Sequence, residues 1–327
     1  MKSNNLNISK KVIILNKRYI IKEPIDEGAS SKVYKCIDKD TGIPKAAKIF
    51  EKITLNSFEK EVNIMKKISE INSPSLMKHY ESGIAFLTQN GGIVQKMYSI
   101  LELGNHGSLF DAVFKTKNGF SEDVCKYMFS EILKGVEDLH KNGICHRDIK
   151  LENMILVGDN YEIKLCDFGF STIFLDENYN KKKLDEFKGT YPYMAPELLE
   201  RKKYEGDKID IFSLGASLFV LLAKKNAFKK ATIYNETAEE VNNLYALIKD
   251  KKYHSYWEIL DNNFGIDSLS DNFKKLFVKM VAYDPKERPT IEQIKQDEWL
   301  KDVINATPDQ MINLRNKMIS EIEIQKT

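Results

Sequence analysis

The chain has 327 residues, 42% of them hydrophobic and 30% charged. That balance excludes a disordered or collagen-like polymer and suffices for a sizeable core. Fifty Lys and Arg face 48 Asp and Glu, so the net charge is +2 and no global field draws the chain to nucleic acid or an acidic membrane.

The first element is an N-terminal extension, residues 1–16. Its apolar run, Val12–Leu15, is too short for the core of an export signal, and Met-Lys-Ser lacks the glycine that myristoylation needs. Short runs rich in Val, Ile and Tyr follow: Tyr19–Ile25, Lys32–Asp38, Pro44–Phe50 and Tyr98–Leu103. They read as strands, with Asp40-Thr41-Gly42 as a hairpin turn. One helix interrupts them, marked by Phe58, Val62, Met65 and Ile68. After Gly104–Gly107 the character changes. Long amphipathic segments dominate, at Glu122–Asn142, Ile209–Ala223, Asn242–Ile259 and Asp271–Val281. The expected fold class is α+β: a small β-rich lobe with one main helix, and a larger, mostly helical lobe. Ligands tend to bind in the cleft such an arrangement makes. The uncharged stretch Ile211–Ala223 has thirteen residues. A bilayer needs ~20, so a buried helix is expected.

The tail opens Thr307-Pro308, a cap followed by proline at the first helical position. Met311, Leu314, Met318 and Ile322 then share a face. Residues 300–327 carry four basic and four acidic side chains, whereas calmodulin targets are usually basic. A docking helix over 303–327 is expected, and calmodulin is not an expected partner. Cysteines 36, 125, 145 and 166 stand singly, with no CxxC. This fits a reduced intracellular setting, cytoplasmic with the nucleus also open. Asp38-Lys-Asp-Thr-Gly has glycine at its fifth place and is not a calcium loop. Lys181–Lys183 is too short for a nucleic-acid patch.

The chemistry begins at His146-Arg147-Asp148-Ile149-Lys150-Leu151-Glu152-Asn153. Asp167-Phe168-Gly169 and then Ala195-Pro196-Glu197 follow. In this order the sequence resembles the eukaryotic protein kinases, over residues 17–302. The resemblance implies a small lobe at 17–103 and a large lobe at 104–302. It implies transfer of the ATP γ-phosphate to Ser or Thr of protein substrates, with Mg²⁺. Asp148 would accept or orient the proton of the acceptor hydroxyl, Lys150 would meet the transferring phosphoryl group, and Asn153 and Asp167 would bind the metal. Lys150 stands where Ser/Thr-specific members carry it. Lys48, in Lys45-Ala46-Ala47-Lys48, resembles the lysine that holds the phosphates. Its glutamate partner is Glu61, with Glu59 as competitor.

The glycine-rich loop departs from the family pattern. Ile25-Asp26-Glu27-Gly28-Ala29-Ser30-Ser31-Lys32-Val33 keeps only the middle glycine. Gly28 still allows close approach to phosphate, and Ser30 and Ser31 bring hydroxyls, while Asp26 adds negative charge. By resemblance, Leu101 is the gatekeeper and the backbone of Glu102 and Leu103 meets the adenine edge. Ile25, Val33 and Ala46 lie above the base and Ile155 below. Ser108 stands where relatives bind ribose. Asp210 would brace the catalytic loop, and Arg288 would pair with Glu197. In the activation segment Glu186 occupies a place where relatives are phosphorylated. It is expected to replace the phosphate in part by meeting Arg147, near Gly189-Thr190. An exposed acid without a role is the competing reading, and Ser171, Thr172 and Tyr179 are alternative phosphosites. The style of the sequence is similar to the calcium/calmodulin-dependent kinase group. A monomer without nucleic-acid or membrane partners is expected. A pseudokinase scaffold, suggested by the depleted loop, and a small-molecule kinase of related fold are the alternatives.

Overall fold

The structure, a computed structural model, describes residues 13–324 except 29, 90–91, 118, 229–243 and 266–268. Most of the N-terminal extension and the end of the tail therefore lie outside the described residues. So does most of Asn226–Thr232, one of the segments behind the calmodulin-kinase likeness. The chain divides into two compact units, one of residues 1–66 and 77–103, the other of 67–76 and 104–327.

The first unit is built on one antiparallel sheet. Its strands are β1 (Ile14–Leu15), β2 (Tyr19–Glu27), β3 (Ser31–Asp38), β4 (Pro44–Phe50), β5 (His79–Gln89) and β6 (Gly92–Leu101), in the order β1-β2-β3-β4-β6-β5. β4 lies between β3 and β6, and every residue from Lys45 to Phe50 is buried. This is why it reads as a continuous run rather than an alternation. Tyr19, Ile21, Cys36, Ala47, Ile49, Tyr98 and Ile100 form one core cluster. Helix α1 (Leu55–Ile71) buries Phe58, Glu61, Met65 and Ile68. Phe58 meets Phe50 of β4 edge-on, with ring centroids 5.3 Å apart. The Asp40–Gly42 turn closes with Gly42 at φ 72°, a conformation glycine adopts without steric cost. Beside it the carboxylate of Asp38 is fully buried and takes Arg18 at 2.7 Å and Lys45 at 3.0 Å. Those cations hold the Asp38 carboxyl well below the usual range, the Arg18 hydrogen bond first among them.

The second unit is mainly helical. Its helices are α2 (Leu109–Lys115), α3 (Glu122–Lys141), α4 (Pro196–Leu199), α5 (Gly206–Ala223), α6 (Leu244–Lys249), α7 (Tyr253–Phe264), α8 (Asp271–Met280), α9 (Ile291–Lys295), α10 (Lys301–Ile304) and α11 (Pro308–Glu323). Three two-stranded sheets carry the loops: β8 (Met154–Val157) pairs with β9 (Glu162–Leu165), β7 (Ile144–Cys145) with β10 (Thr172–Ile173), and β11 (Lys183–Leu184) with β12 (Tyr204–Glu205). In α5 the residues from Ile209 to Leu221 are all buried, which accounts for the uncharged run that starts at Ile211. Among the described residues no helix is long and apolar enough to cross a membrane.

The segment expected as one helix over 242–259 is two. Lys251 turns into the left-handed region at φ 57°, and the Lys252 N–H closes the turn on the Leu247 carbonyl at 2.8 Å. The start of that expected helix, 242–243, lies outside the described residues. α11 packs on α3. Thr307 and Gln310 form a reciprocal cap at its start, with Pro308 in the first turn. Met318 and Ile322 are buried and Met311 and Leu314 half-buried. Full burial of a methionine contributes about 1.5–3 kcal/mol.

Candidate active site

Each unit carries its own set of polar groups. In the first, Lys48 projects from the buried strand β4, and its ammonium lies 2.9 Å from Oε1 of Glu61 on α1. Both side chains are at most 10% exposed. The helix phase selects the partner: Phe58, Glu61, Met65 and Ile68 share the buried face, while Glu59 is exposed. A buried pair of this kind fixes the lysine in one place, because moving either ion would leave the other uncompensated.

The other expected nucleotide contacts in this unit stand around Lys48. Val33 is its register partner on β3, Ala46 precedes it by two on β4, and Leu101 lies opposite Ala46 on β6. Ile25 is 46% exposed on β2. Gly28 donates its N–H to the Ser31 carbonyl at 2.9 Å, closing the loop, and Ser31 is buried. A Cβ at Gly28 would meet only Ser31 O, at 3.7 Å, so packing does not demand glycine here. Ser30 is exposed, and its carbonyl accepts from Glu51 N–H at 2.8 Å. Asp26 turns toward its own backbone, accepting from Glu27 N–H at 2.8 Å. The Glu102 N–H is taken by the Lys78 carbonyl at 2.9 Å, so an adenine edge would meet the Glu102 carbonyl instead. Leu103 is half-buried.

In the second unit the loop between β7 and β8 presents Asp148, which is 5% exposed. Its Oδ1 accepts from the Thr190 hydroxyl at 2.7 Å, and its Oδ2 lies 2.8 Å from Lys150 Nζ. Lys150 also donates to Thr190 Oγ1 at 2.8 Å, which closes a ring of three groups. Asn153 donates its amide to the Asp148 carbonyl at 2.8 Å and to Asp148 Oδ2 at 3.2 Å. Asp167 is an exposed residue in the left-handed region, φ 59° and ψ 72°. The following Phe168 is buried and packs near His146, centroids 5.4 Å apart. His146 accepts from Asp148 N–H at Nδ1, 3.2 Å, so its Nε2–H is the one that donates to the Cys166 carbonyl at 3.0 Å. One imidazole thereby ties the loop of Asp148 to the segment that leads into Asp167.

Asp210, fully buried at the start of α5, holds this loop from below. It accepts from His146 N–H and Arg147 N–H, both at 2.8 Å, and from the His140 ring at 2.8 Å. These bonds sustain Arg147 at φ 67°, a conformation that costs about 1–3 kcal/mol where context does not impose it. The Arg147 guanidinium is 5% exposed and meets Glu186 at 2.9 Å. Tyr204 receives a hydrogen bond from Nη1 at 3.2 Å and donates its own hydroxyl to the Glu186 carbonyl at 2.7 Å. Burial works against the Arg147 charge, but Tyr204 and Glu186 outweigh it and the pKa lies above the ordinary value. Gly189 stands at φ 126°, where a Cβ would lie 2.9 Å from the Arg147 carbonyl. Glycine is therefore required at the entry to Thr190. Glu197 and Arg288 form a buried two-pronged pair, both bonds 2.7 Å.

Two expected nucleotide contacts fall here. Ile155 on β8 is half-buried and forms an isolated bridge with Ser108. Ser108 spends its side chain on capping α2, accepting from Asp111 N–H at 3.0 Å and donating to its carboxylate at 2.8 Å. Sequence reasoning missed Tyr204 and His140, which carry no motif of their own. It also placed Thr190 only in regulation, although the hydroxyl sits on Asp148.

The donor set suits a hard divalent cation. Asn153 commits its amide N–H groups to Asp148, so its side-chain oxygen is the atom it can offer a cation, and Asp167 adds a carboxylate. Mg²⁺ takes such oxygen ligands one or two at a time beside waters and phosphates. Among the described residues no cluster of three His, Cys, Asp or Glu forms a cage for a metal.

A buried lysine–glutamate pair, a braced Asp–Lys–Asn loop and an Asp-Phe-Gly turn define the class: the phosphoryl-transfer machinery of protein kinases. Comparison with known proteins agrees. Residues 19–300 match the protein kinase domain, and the chain belongs to that family. It is 32% identical over 269 residues to human SNF-related serine/threonine-protein kinase, covering 80% of this chain and 31% of the relative. It is 31% identical over 288 residues to CBL-interacting protein kinase 26 of Oryza sativa subsp. japonica, covering 88% and 53%. Rat serine/threonine-protein kinase SIK1 is 31% identical over 290 residues, covering 86% and 33%. The chain thus spans about a third to a half of the length of these relatives.

Proposed function

We propose that the chain is an intracellular, cytoplasmic protein serine/threonine kinase that transfers the γ-phosphate of ATP with Mg²⁺. The observation that carries this reading is the ring of Asp148, Lys150 and Thr190, with Asn153 bound to the same aspartate. In it Asp148 keeps a carboxylate at the position where an acceptor hydroxyl needs one, and Lys150 offers a positive charge beside it. Lys48, fixed by Glu61, holds the α- and β-phosphates. Asn153 and Asp167 hold the metal, which when bound neutralises charge on the phosphates. Ile25, Gly28, Ser30, Ser31, Val33, Ala46, Leu101, Glu102, Leu103, Ser108 and Ile155 receive the nucleotide. Asp148 takes the hydroxyl proton as the oxygen bonds to the γ-phosphorus in line, and the bond from that phosphorus to the bridging oxygen breaks, releasing ADP.

Substrates are proteins with a modest preference for basic residues. Glu152 supports this: its Oε2 is buried and, among the described residues, has no hydrogen-bond partner. An arginine or lysine from a substrate would compensate that oxygen. Phe170 after Asp-Phe-Gly leans toward serine. Relatives named as serine/threonine kinases support the residue type, and the SNF-related and SIK1 likenesses support a place near the calcium/calmodulin-dependent group. The protein acts as a monomer without calmodulin, nucleic acid or membrane.

The test is phosphorylation of a peptide library from radiolabelled ATP by wild type and Asp148→Asn. We expect labelled Ser peptides with wild type and a loss of at least 100-fold with the variant. Equal background signal from both would instead favour a pseudokinase scaffold, the reading suggested by a loop with Gly28 as its single glycine.

A further inference from the structure

The segment just after Leu103 carries part of the nucleotide site and is laid along β8. Gly104 packs so tightly on Ile155 that a Cβ would fall 2.0 Å from its Cγ2. His106 N–H donates to the Leu156 carbonyl at 3.3 Å, and Leu156 N–H donates to the Gly107 carbonyl at 3.0 Å. The segment is also pinned to the turn between β8 and β9. Gly158 N–H donates to Asn105 Oδ1 at 2.8 Å, and the His106 ring lies 3.1 Å from the Gly158 carbonyl.

That turn holds Tyr161, which is 4% exposed and sits in the left-handed region at φ 52°. Its ring stacks on His106, centroids 3.7 Å apart and planes 17° from parallel. Its hydroxyl donates to Glu323 Oε1 at the end of α11, 3.0 Å. Two residues earlier, Glu321 accepts from Ser121 N–H at 3.1 Å and from its hydroxyl at 2.8 Å. With Met318 and Ile322 buried, this fixes the last turns of α11 in place.

We propose that Tyr161 is a positioning residue for the nucleotide segment 104–108, and that α11 sets it through Glu323. The stack keeps His106 seated over the turn, and the Glu323 carboxylate orients the tyrosine ring that makes the stack. Because Gly104 and Ser108 lie against Ile155, a loosened His106 moves the surface that meets the base and ribose. The phosphate-handling groups are untouched, so the effect falls on nucleotide affinity and not on the chemical step. This inference rests on the kinase reading above.

The experiment uses the full chain. Tyr161→Phe and Glu323→Ala each remove the hydrogen bond and keep the ring; Glu323→Gln keeps an acceptor oxygen; Tyr161→Leu removes the stack. Hydrogen exchange at residues 104–108 is measured without nucleotide, MgATP affinity by calorimetry, and kcat and KM for ATP and peptide by assay. We expect Tyr161→Phe and Glu323→Ala to weaken MgATP binding about threefold, the worth of one modest hydrogen bond. Exchange at 104–108 should speed up, kcat and peptide KM should hold, and the double variant should be no worse than either single one. Glu323→Gln should match wild type, and Tyr161→Leu should show the largest effect. Unchanged exchange and affinity in both hydrogen-bond variants, or additive effects in the double variant, would overturn the proposal. Failure of wild type to bind MgATP would overturn the kinase reading instead, while the exchange data would still report on the brace.

Discussion

Replacing Glu186 with alanine removes the carboxylate that meets Arg147 in the activation segment. The magnitude follows from the pair's setting. Arg147 is 5% exposed and Glu186 55%, so one partner is desolvated and the other is not. Breaking a fully buried pair costs about 3–5 kcal/mol, and an exposed pair contributes about 0.2–1 kcal/mol. A cost of about 2 kcal/mol lies between these limits. At about 1.4 kcal/mol per factor of ten, that shifts the equilibrium of the ordered segment about 30-fold. The segment carries Gly189 and Thr190, and Thr190 is bonded to Asp148, so the shift reaches the aspartate proposed to take the hydroxyl proton. We therefore expect kcat/KM of Glu186→Ala to fall by up to about 30-fold, with Glu186→Gln in between. Wild type should keep its activity after exhaustive phosphatase treatment. In an Arg147→Ala background the same substitution should cost nothing more, because the cation it compensates is gone. A phosphatase-treated wild type that is inactive, or a Glu186→Ala enzyme at full rate, would refute the reasoning that this carboxylate stands in for a phosphate.

Three other substitutions probe the frame. Arg288→Ala leaves the Glu197 carboxylate, 8% exposed, without its cation and should destabilise the fold by about 3–5 kcal/mol in urea unfolding; a loss under 1 kcal/mol would contradict the burial argument. Gly189→Ala places a Cβ against the Arg147 carbonyl at an unfavourable φ, so a strain of about 1–3 kcal/mol should appear as reduced kcat with little change in melting temperature, and an unaffected kcat would count against it. Glu152 has a carboxyl pKa raised by burial, so it ionises at higher pH than an exposed glutamate. Below that raised pKa it is protonated and attracts no cation. The KM for an arginine-containing peptide should therefore fall as pH rises through it, and Glu152→Gln should abolish that dependence; the same slope in both enzymes would remove Glu152 from substrate binding. The linked stability runs the other way: the protonated carboxyl is favoured in the folded state below the raised pKa, and that advantage is lost as pH rises through it.

Much of the machinery is legible in the chain because it is local. Asp148, Lys150 and Asn153 lie within six residues, and Asp167 carries its own Phe-Gly signature. Lys48 is readable from the likeness of Lys45-Ala46-Ala47-Lys48 to the family's third-strand lysine motif. The helical period then distinguishes Glu61 from Glu59. Other features were not legible. The break between α6 and α7 turns on a left-handed Lys251, a backbone state that no residue type announces there. The strand β5 holds His79, Glu81, Ser82 and Gly83, which are poor strand formers, and it exists because β6 pairs with it.

The amino-acid order by itself singled out the candidate groups for chemistry, the acids, the lysine and the amide at their spacing, and a helical lobe following a β-rich one. It also carried Glu186 as a candidate partner for Arg147. The tertiary structure decided which of these groups meet. Tyr204 closes over Arg147, Thr190 lies on Asp148, and Tyr161 joins His106 to the end of α11. The physical reason is range. Motif and period report interactions between near neighbours in the chain, whereas hydrogen bonds and ring stacks between residues 40 to 160 positions apart depend on packing that only the folded chain supplies.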